Sequence, residues 1–272
     1  MMLRMSQRGD DLPGGTCGRR AFARGLAGLV AASVVAPRTG LAEPPEPAAP
    51  AASTRVLLVG DSMIAGAFGL FLARELEATY GCEVIREGKS STGLSRPDFF
   101  NWIEKGASLA RRHAPYDAAA CMFGGNDGQG LFMGRRANPK WIRYGEPGWD
   151  DEYRRRVVAF ADAITPADGS LHWIGMPVMA PMRLHERVRH LNKIYRGEMC
   201  IRPRCQFVDI WRSLSNDAGA YSRRLVIDGK RVSVRASDGV HLTVAGAHYL
   251  VSDVAPRLAK RLPRREPSSR PG

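Results

Sequence analysis

The chain has 272 residues, of which 44% are hydrophobic and 25% are charged. These proportions are ordinary for a globular domain with a sizeable core, and they exclude a chain that is disordered throughout. The formal net charge is +13, and it is still +9 once the six arginines and two aspartates of residues 1–42 are removed. A positive surplus of this size favours contact with anionic partners.

Residues 1–42 have the pattern of an export signal. Arg19 and Arg20 precede a mildly apolar stretch at 25–36, and the small residues at 40–42 suit cleavage. The pattern resembles a twin-arginine signal, although residues near the arginine pair depart from its usual form. The apolar stretch is too short to span a bilayer. We expect a bacterial protein that is periplasmic or secreted, without an integral membrane segment. The alternative is a disordered basic arm.

The next segment and the last one flank a single predicted domain. Residues 43–54 form a Pro- and Ala-rich linker, in which the prolines prevent helix and sheet formation. Residues 262–272 form a basic tail rich in Pro and Ser, which we expect to be disordered. The folded domain is therefore predicted over residues 55–261.

Continuous apolar runs within that domain predict five buried strands. Four are strong, at Val56–Val59, Ala118–Phe123, Leu171–Gly175 and Gln206–Ile210, and a weaker one lies at Cys82–Ile85. Strands that are apolar throughout are typical of a parallel sheet covered on both faces. We therefore expect a parallel sheet of about five strands.

Helical patterns alternate with these strands. Apolar residues recur at helical spacing within 68–80, 153–164 and 185–200, and Thr243 can cap a last helix that Pro256 should kink or split. Residues 216–235 indicate an excursion or hairpin around Asp228 and Gly229. Strand–helix alternation predicts an α/β sandwich with right-handed crossovers. Ligands in such sheets bind beyond the carboxyl ends of the strands.

Three residues have the chemistry of a hydrolytic triad. Ser62 follows the first strand at a turn into a helix, where its hydroxyl is exposed. A free serine is a poor nucleophile, so it needs an adjacent base, and His241 is the best of the six histidines for that role. Asp238 lies three residues before His241, a spacing that lets its carboxylate accept from Nδ1–H and direct Nε2 towards the serine.

Acyl transfer also requires donors for the oxyanion of the tetrahedral intermediate. The candidates are the backbone N–H of Ser62, the backbone N–H of Gly93 and the side-chain amide of Asn126. Glycine at position 93 permits a close backbone approach. Gly88 is the second choice for this position.

The order of these residues resembles that of the SGNH, or GDSL-type, hydrolases. The Ser, Gly, Asn and His of that name would fall on Ser62, Gly93, Asn126 and His241, with Asp238 completing the triad. The resemblance covers most of residues 55–261. It implies a flavodoxin-like fold, a three-layer α/β/α sandwich, which agrees with the α/β sandwich predicted above. The family's members include esterases, lipases, deacetylases, thioesterases and acyltransferases. The resemblance implies no cofactor.

Two further segments are candidates for substrate contact. The segment 128–150 follows the Asn126 motif and mixes cations with aromatic residues, among them Trp141 and Arg143. This mixture suits a sugar or an anionic acyl group, although an ordinary surface loop with inward aromatics would look the same. Met176 and Met179 follow a strand and are candidates for an apolar wall beside the acyl group.

We therefore predict a serine esterase acting on a small-molecule or carbohydrate ester, with O-acetyl groups on envelope carbohydrate as one candidate. An O-acyltransferase using the same residues and a noncatalytic binder of anionic envelope polymers remain alternatives. Export and the lack of a recognisable motif argue against nucleic-acid binding. The histidines lack the dense spacing of a metal site. Cys200 and Cys205 enclose four residues and are either bridged or free.

Overall fold

The computed structural model of the protein describes residues 53–263. The predicted signal at 1–42, most of the linker at 43–54 and most of the tail at 262–272 lie outside the described residues. The described part contains nine strands and six helices in this order: β1 Arg55–Gly60, α1 Ser62–Ala65, α2 Ala67–Tyr80, β2 Glu83–Gly88, α3 Trp102–His113, β3 Ala118–Met122, β4 Leu131–Phe132, β5 Trp141–Ile142, α4 Trp149–Ile164, β6 Ser170–Ile174, α5 Met182–Cys200, β7 Cys205–Val208, β8 Arg224–Ile227, β9 Lys230–Ser233 and α6 Val244–Ala259.

The main sheet has five parallel strands in the order β2-β1-β3-β6-β7. All five predicted strands are present, and their ends differ from the predicted ones by at most three residues. Renumbered along the chain, the order is the 2-1-3-4-5 of flavodoxin-like folds. The predicted fold class is therefore confirmed.

Side chains of β1 show why the sheet is covered on both faces. Val56 and Leu58 pack in one hydrophobic cluster, with α2 and α6, while Leu57 and Val59 pack in the other, with α3, α4 and α5. Successive side chains of a strand point to opposite faces, so a continuous apolar run serves two cores. Full burial of each such side chain stabilises the fold by roughly 1.5–3 kcal/mol.

Helix α3 was not predicted. Asn101 caps it by accepting from the N–H groups of Ile103 and Glu104, and Trp102 and Leu109 are buried on its inner face. The Asn cap and the acidic first turn are sequence signals for a helix start. The sequence therefore carried helix signals in this segment that the prediction did not use, and α3 packs with α4 in the cluster that covers one face of the sheet.

Pro256 does not split the last helix. α6 runs from Val244 to Ala259 through this proline. Proline removes one intrahelical hydrogen bond, to the carbonyl four residues earlier. That residue is Ser252, which is exposed, so water can take the place of the missing donor. The expected hairpin around Asp228 and Gly229 is present as β8 and β9.

Candidate active site

Ser62 occupies the turn from the carboxyl end of β1 into α1. Asp61, which precedes it, is fully buried and caps α1 by accepting from the N–H of Met63 at 3.0 Å. The second oxygen of Asp61 accepts from the N–H of Gly125 at 3.3 Å, in the loop that follows β3. The carboxylate therefore ties the serine turn to the neighbouring loop that carries Asn126.

The structure brings Ser62, His241 and Asp238 together although 179 residues separate the first two. The distance from Ser62 Oγ to His241 Nε2 is 3.0 Å, and the distance from His241 Nδ1 to Asp238 Oδ2 is 2.7 Å. Both distances fall within the range of a hydrogen bond. With Nδ1–H donating to the carboxylate, Nε2 presents its lone pair to the serine hydroxyl.

Asp238 is held in its ionised form. The hydrogen bond from His241 lowers the pKa of Asp238 to about 2, with help from the backbone N–H of Val240. Its Oδ1 accepts from the N–H groups of Val240 and His241 at 2.8 and 2.9 Å. The same carboxylate thus fixes the backbone turn through one oxygen and the imidazole through the other. The side chains of Asp238 and His241 are each 47% exposed, so solvent reaches both.

Arg235 supports this turn, and sequence reasoning missed it. Its side chain is fully buried, donates through Nη1 to the carbonyl of Val240 at 2.7 Å, and donates through Nη2 to the carbonyl of Val178. Burial lowers the pKa of Arg235 to about 10. The ring centroid of Tyr221 lies 5.9 Å from the guanidinium carbon. One buried guanidinium therefore joins the residue before His241 to the loop after β6.

Asn126 lies on the loop after β3, in reach of the segment that contains Gly93. Its amide donates to the carbonyl of Thr92 at 3.0 Å. A carboxamide has two N–H donors, so one remains after this bond is made. The Thr92 hydroxyl in turn accepts from the indole of Trp102 at 2.9 Å. The orientation of the Asn126 amide is thus set by a loop that is itself anchored to α3.

The structure shows a further requirement for glycine at position 93, in addition to the predicted oxyanion role, which stays a prediction. A Cβ at this position would lie 2.3 Å from Oδ1 of Asp127, which is buried. The same Asp127 oxygen accepts from the N–H of Ser95 at 2.9 Å, and the Ser95 hydroxyl donates to the backbone carbonyl of Asp127 at 2.7 Å. Glycine therefore admits the Asp127 side chain, which joins the loop that carries Gly93 to the loop that carries Asn126. Gly88 instead packs against the backbone of α1, where a Cβ would lie 2.3 Å from Ala65 N.

A second buried arginine holds the loop that follows Gly93. Arg156 of α4 donates to the carbonyls of Leu94 and Ser95 at 3.0 and 2.9 Å, and to that of Phe132 at 2.6 Å. Glu152, one turn earlier, accepts from its Nε at 2.7 Å. Like Arg235, Arg156 was not singled out from the sequence, because most arginines are exposed.

Two buried carboxyl groups lie under the site. Burial raises the pKa of Asp61 to about 7 and that of Asp127 to about 6, and the proximity of Asp127 contributes to the shift at Asp61. Backbone N–H donors oppose the shift at both residues, but burial is the larger effect. Both groups therefore change ionisation close to neutral pH.

The four residues predicted to contact substrate differ in their exposure to solvent. Trp141 is 38% exposed, and the guanidinium of Arg96 lies 4.9 Å from its ring. Arg143 is exposed. Substrate contact by these two residues stays a prediction. Met176 and Met179 are 0% and 1% exposed and belong to the core, so the structure does not support the predicted apolar wall.

The buried position of Met176 has a different consequence. A Cβ on Gly124 would lie 2.5 Å from Met176 Cγ, so this methionine packs directly beneath the loop that carries Asn126. Asn192 of α5 fixes its backbone by accepting from Met176 N at 2.8 Å and donating to Met176 O at 2.7 Å. The segment after β6 therefore packs against the loop that carries Asn126 and is itself held by α5.

His248, Cys200 and Cys205 take no part in the hydrogen bonds described for the candidate site. His248 stacks on Phe71 with ring centroids 3.9 Å apart, which joins α6 to α2. Cys200 and Cys205 are free thiols. Among residues 53–263, no group of three or more His, Cys, Asp or Glu side chains could hold a metal ion. No helix within that range is long and apolar enough to cross a membrane.

Solved structures share this fold. The aryl esterase of M. smegmatis aligns over 77% of this chain and 100% of its own, with 19% identity and a TM-score of 0.53. A carbohydrate acetylesterase family member from Sinorhizobium meliloti aligns over 77% and 99%, with 17% identity and a TM-score of 0.53. TesA aligns over 77% and 100%, with 16% identity and a TM-score of 0.51.

These similarities confirm the SGNH, or GDSL-type, fold expected from the four motifs. No curated protein sequence matches the chain significantly. A family model described as "Protein of unknown function (DUF459)" matches residues 55–257, which is most of the described domain. The chain therefore belongs to the DUF459 family and has the fold of the SGNH hydrolases.

Proposed function

We propose that the protein is a serine esterase that hydrolyses carboxylic esters through an acyl-enzyme on Ser62. The observation that carries the proposal is the continuous hydrogen-bonded series Ser62–His241–Asp238, with distances of 3.0 and 2.7 Å. This arrangement provides a nucleophile, its base and the group that orients the base. The fold shared with esterases is consistent with it, but the side-chain geometry supports it more directly.

In the first half-reaction, Ser62 Oγ attacks the ester carbonyl carbon while His241 Nε2 takes the hydroxyl proton. The carbonyl electron pair moves onto oxygen, and this oxyanion accepts from the N–H of Ser62, the N–H of Gly93 and the amide of Asn126. The ionised Asp238 stabilises the imidazolium that forms. When the intermediate collapses, the bond to the leaving oxygen breaks, and His241 returns the proton to the departing alcohol.

In the second half-reaction, water replaces the alcohol. His241 takes a proton from water as the water oxygen attacks the acyl carbon, and the collapse of the second intermediate releases the carboxylic acid and restores Ser62. The exposure of His241 favours this step, because solvent reaches the imidazole without any change in the structure.

The substrate is proposed to carry a short acyl group, such as acetyl, on a carbohydrate. Because Met176 and Met179 are buried in the core, they add no apolar wall for a long chain. The exposed position of the triad admits a bulky alcohol such as a sugar. Turnover of p-nitrophenyl esters of increasing chain length tests this point. We expect acetate to be hydrolysed at least about tenfold faster than octanoate, and the reverse order would contradict the short-acyl assignment.

Labelling with a serine-reactive phosphonate tests the nucleophile. The full chain should be labelled once, and Ser62→Ala should abolish the label. Ser237→Ala is the matched control, because Ser237 is an exposed serine next to Asp238 and should not affect labelling. A label that survives Ser62→Ala, or the absence of any label on the wild type, contradicts the assignment of Ser62.

We also propose that residues 1–42 export the protein through a twin-arginine route. The support is the Arg19-Arg20 pair followed by a short apolar stretch and small residues at 40–42. Substitution of both arginines by lysine should retain the protein in the cytoplasm, as measured by cell fractionation. Export that is unchanged by the double substitution would contradict the proposed route.

A further inference from the structure

A basic cavity of about 530 Å³ opens at the β7 edge of the sheet. Its walls come from α5, from the segment after β7 and from α6, so it lies where the two helical layers meet beside an edge strand. None of the three triad residues lines it. Five of the ten lining residues are cations: Arg189, Lys193, Arg196, Arg212 and Arg257.

The two carboxylates in the cavity are already engaged. Asp209 accepts from Trp211 N at 2.9 Å and forms an ion pair with Arg196. Asp253 accepts from the Ser213 hydroxyl at 2.6 Å and from Arg257 at 3.0 Å. These contacts account for two of the five cations.

The other three cations are Arg189, Lys193 and Arg212. None of them forms an ion pair with a carboxylate within the described residues. Arg189 and Lys193 lie four residues apart on α5, a spacing at which like charges repel. An anion in the cavity would remove this repulsion and would be attracted by all three charges.

Trp211 gives the cavity a second kind of surface. The indole is half-buried, and its ring contacts His185 edge-on at a centroid distance of 4.9 Å. An indole has an apolar body suited to packing against a flat, partly apolar ligand such as a sugar ring. Cations beside an aromatic surface in one cavity match a ligand that has both rings and negative charges.

We propose that this cavity is a second binding site, separate from the Ser62 cleft, for an acidic saccharide. The anionic groups pair with Arg189, Lys193 and Arg212, and a sugar ring packs against Trp211. Arg196 and Arg257 also line the cavity, but they are held by their carboxylate partners. The site binds its ligand whether or not the Ser62 cleft is active.

Binding of a galacturonic acid oligomer to the full chain, measured by calorimetry in roughly 0.1 M salt so that charges more than about 10 Å apart are largely screened, tests the site. Lys193→Glu combined with Arg212→Glu should weaken binding at least about tenfold, since two of the three attractive charges are reversed. Both residues are exposed, so the fold should be retained. The matched control is Arg74→Glu combined with Arg112→Glu, which changes the net charge equally at exposed positions elsewhere. The control should change the affinity less than about twofold.

Three results would overturn the proposal. Equal weakening by the two double variants would show that only the overall charge attracts the oligomer. Equal affinity for a neutral galactose oligomer of the same length would remove the role of the cations. Equal affinity for a glutamate oligomer of the same charge would remove the carbohydrate assignment. None of these measurements requires turnover, so they leave the esterase proposal untouched.

Discussion

The two halves of the candidate active site are held in different ways. Ser62 lies between a central strand and a helix, next to a carboxylate that is fully buried and bonded to backbone N–H groups on both sides. His241 and Asp238 lie on an exposed turn between β9 and α6, and that turn is anchored by the buried guanidinium of Arg235 and by a backbone hydrogen bond from the N–H of Ala180 to the carbonyl of Gly239 at 3.1 Å. The nucleophile thus takes its position from the sheet, whereas the base takes its position from a surface turn that is held to the loop after β6.

Ser62 and His241, which lie far apart in the chain, can therefore keep a fixed separation although only Ser62 is held by the core of the sheet. One partner is fixed by the core, and the other needs only enough anchoring to keep an imidazole about 3 Å away. Each side can be perturbed separately.

The largest expected effect is the loss of either reacting group. Ser62→Ala and His241→Ala should each lower kcat by about 10⁴-fold or more, because serine and base act as a unit. The double variant should be no slower than the single ones, as measured on p-nitrophenyl acetate. If the two losses multiplied, Ser62 and His241 would be acting independently, and the proposed mechanism would be wrong.

The next effect tests the loop beside the nucleophile. Asn126→Ala should lower kcat by roughly 100- to 1000-fold, the usual cost of one oxyanion donor. KM should change much less, since the donor acts mainly in the transition state. Steady-state kinetics with a short-chain ester measures both values. A pure KM effect would assign Asn126 to substrate binding instead.

Substitution of the two buried arginines compares the supports directly. Arg235→Met leaves the carbonyls of Val240 and Val178 without their donor, at a cost of about 1–3 kcal/mol each in the free energy of unfolding. We expect kcat to fall by about tenfold or more with little change in KM, because His241 is displaced. Arg235→Lys should restore part of kcat.

Arg156→Met is the matched variant on the nucleophile side. It should lower the free energy of unfolding to a similar extent, since Arg156 also donates to loop carbonyls. Its effect on kcat should be smaller than that of Arg235→Met, because Ser62 is fixed independently by Asp61. Equal decreases in kcat for Arg156→Met and Arg235→Met would contradict the proposal that the two halves of the candidate active site are held in different ways.

The smallest expected effect is a pH dependence of stability that comes from Asp61. Its pKa is raised from 3.8 to about 7 in the folded protein, so the folded state retains a proton that the unfolded chain has lost. This contribution to stability is complete below pH 3.8 and is lost as pH rises through about 7.

Urea unfolding at pH 5 and pH 8 measures this contribution. Wild type should lose on the order of 2 kcal/mol over that interval from this group, and Asp61→Asn should lose correspondingly less. Asp238→Asn serves as the contrasting variant. The lowered pKa of Asp238 places its titration near pH 2, outside the interval. An unchanged pH dependence in Asp61→Asn would contradict a protonated Asp61.

Much of the fold was predictable because its signals are local. A parallel strand buried on both faces needs an unbroken apolar run, and β1 and β3 have one. The candidate triad was also predictable, because an Asp three residues before a His fixes their mutual geometry without reference to the rest of the chain. The order of the motifs along the chain supported the remaining site assignments, Gly93 and Asn126.

What the sequence did not reveal depends on contacts between distant residues. Arg235 and Arg156 resemble any surface arginine until the structure shows carbonyl groups converging on them. Gly93 was predicted as an oxyanion donor, but the sequence did not reveal that Asp127, 34 residues later, also requires a glycine there. Met176 follows a strand as expected, but the direction of its side chain depends on the packing of α5.

The ends of the described chain meet at one point. The Thr54 hydroxyl donates to the carbonyl of Pro263 at 2.8 Å, beside the amino end of β1, whereas Ser62 lies past its carboxyl end. A short peptide bridge between these ends, with new termini opened at the Asp228–Gly229 turn, would therefore give a circular permutant. The same adjacency lets the domain be inserted into a host protein, with its reacting groups facing away from the junction.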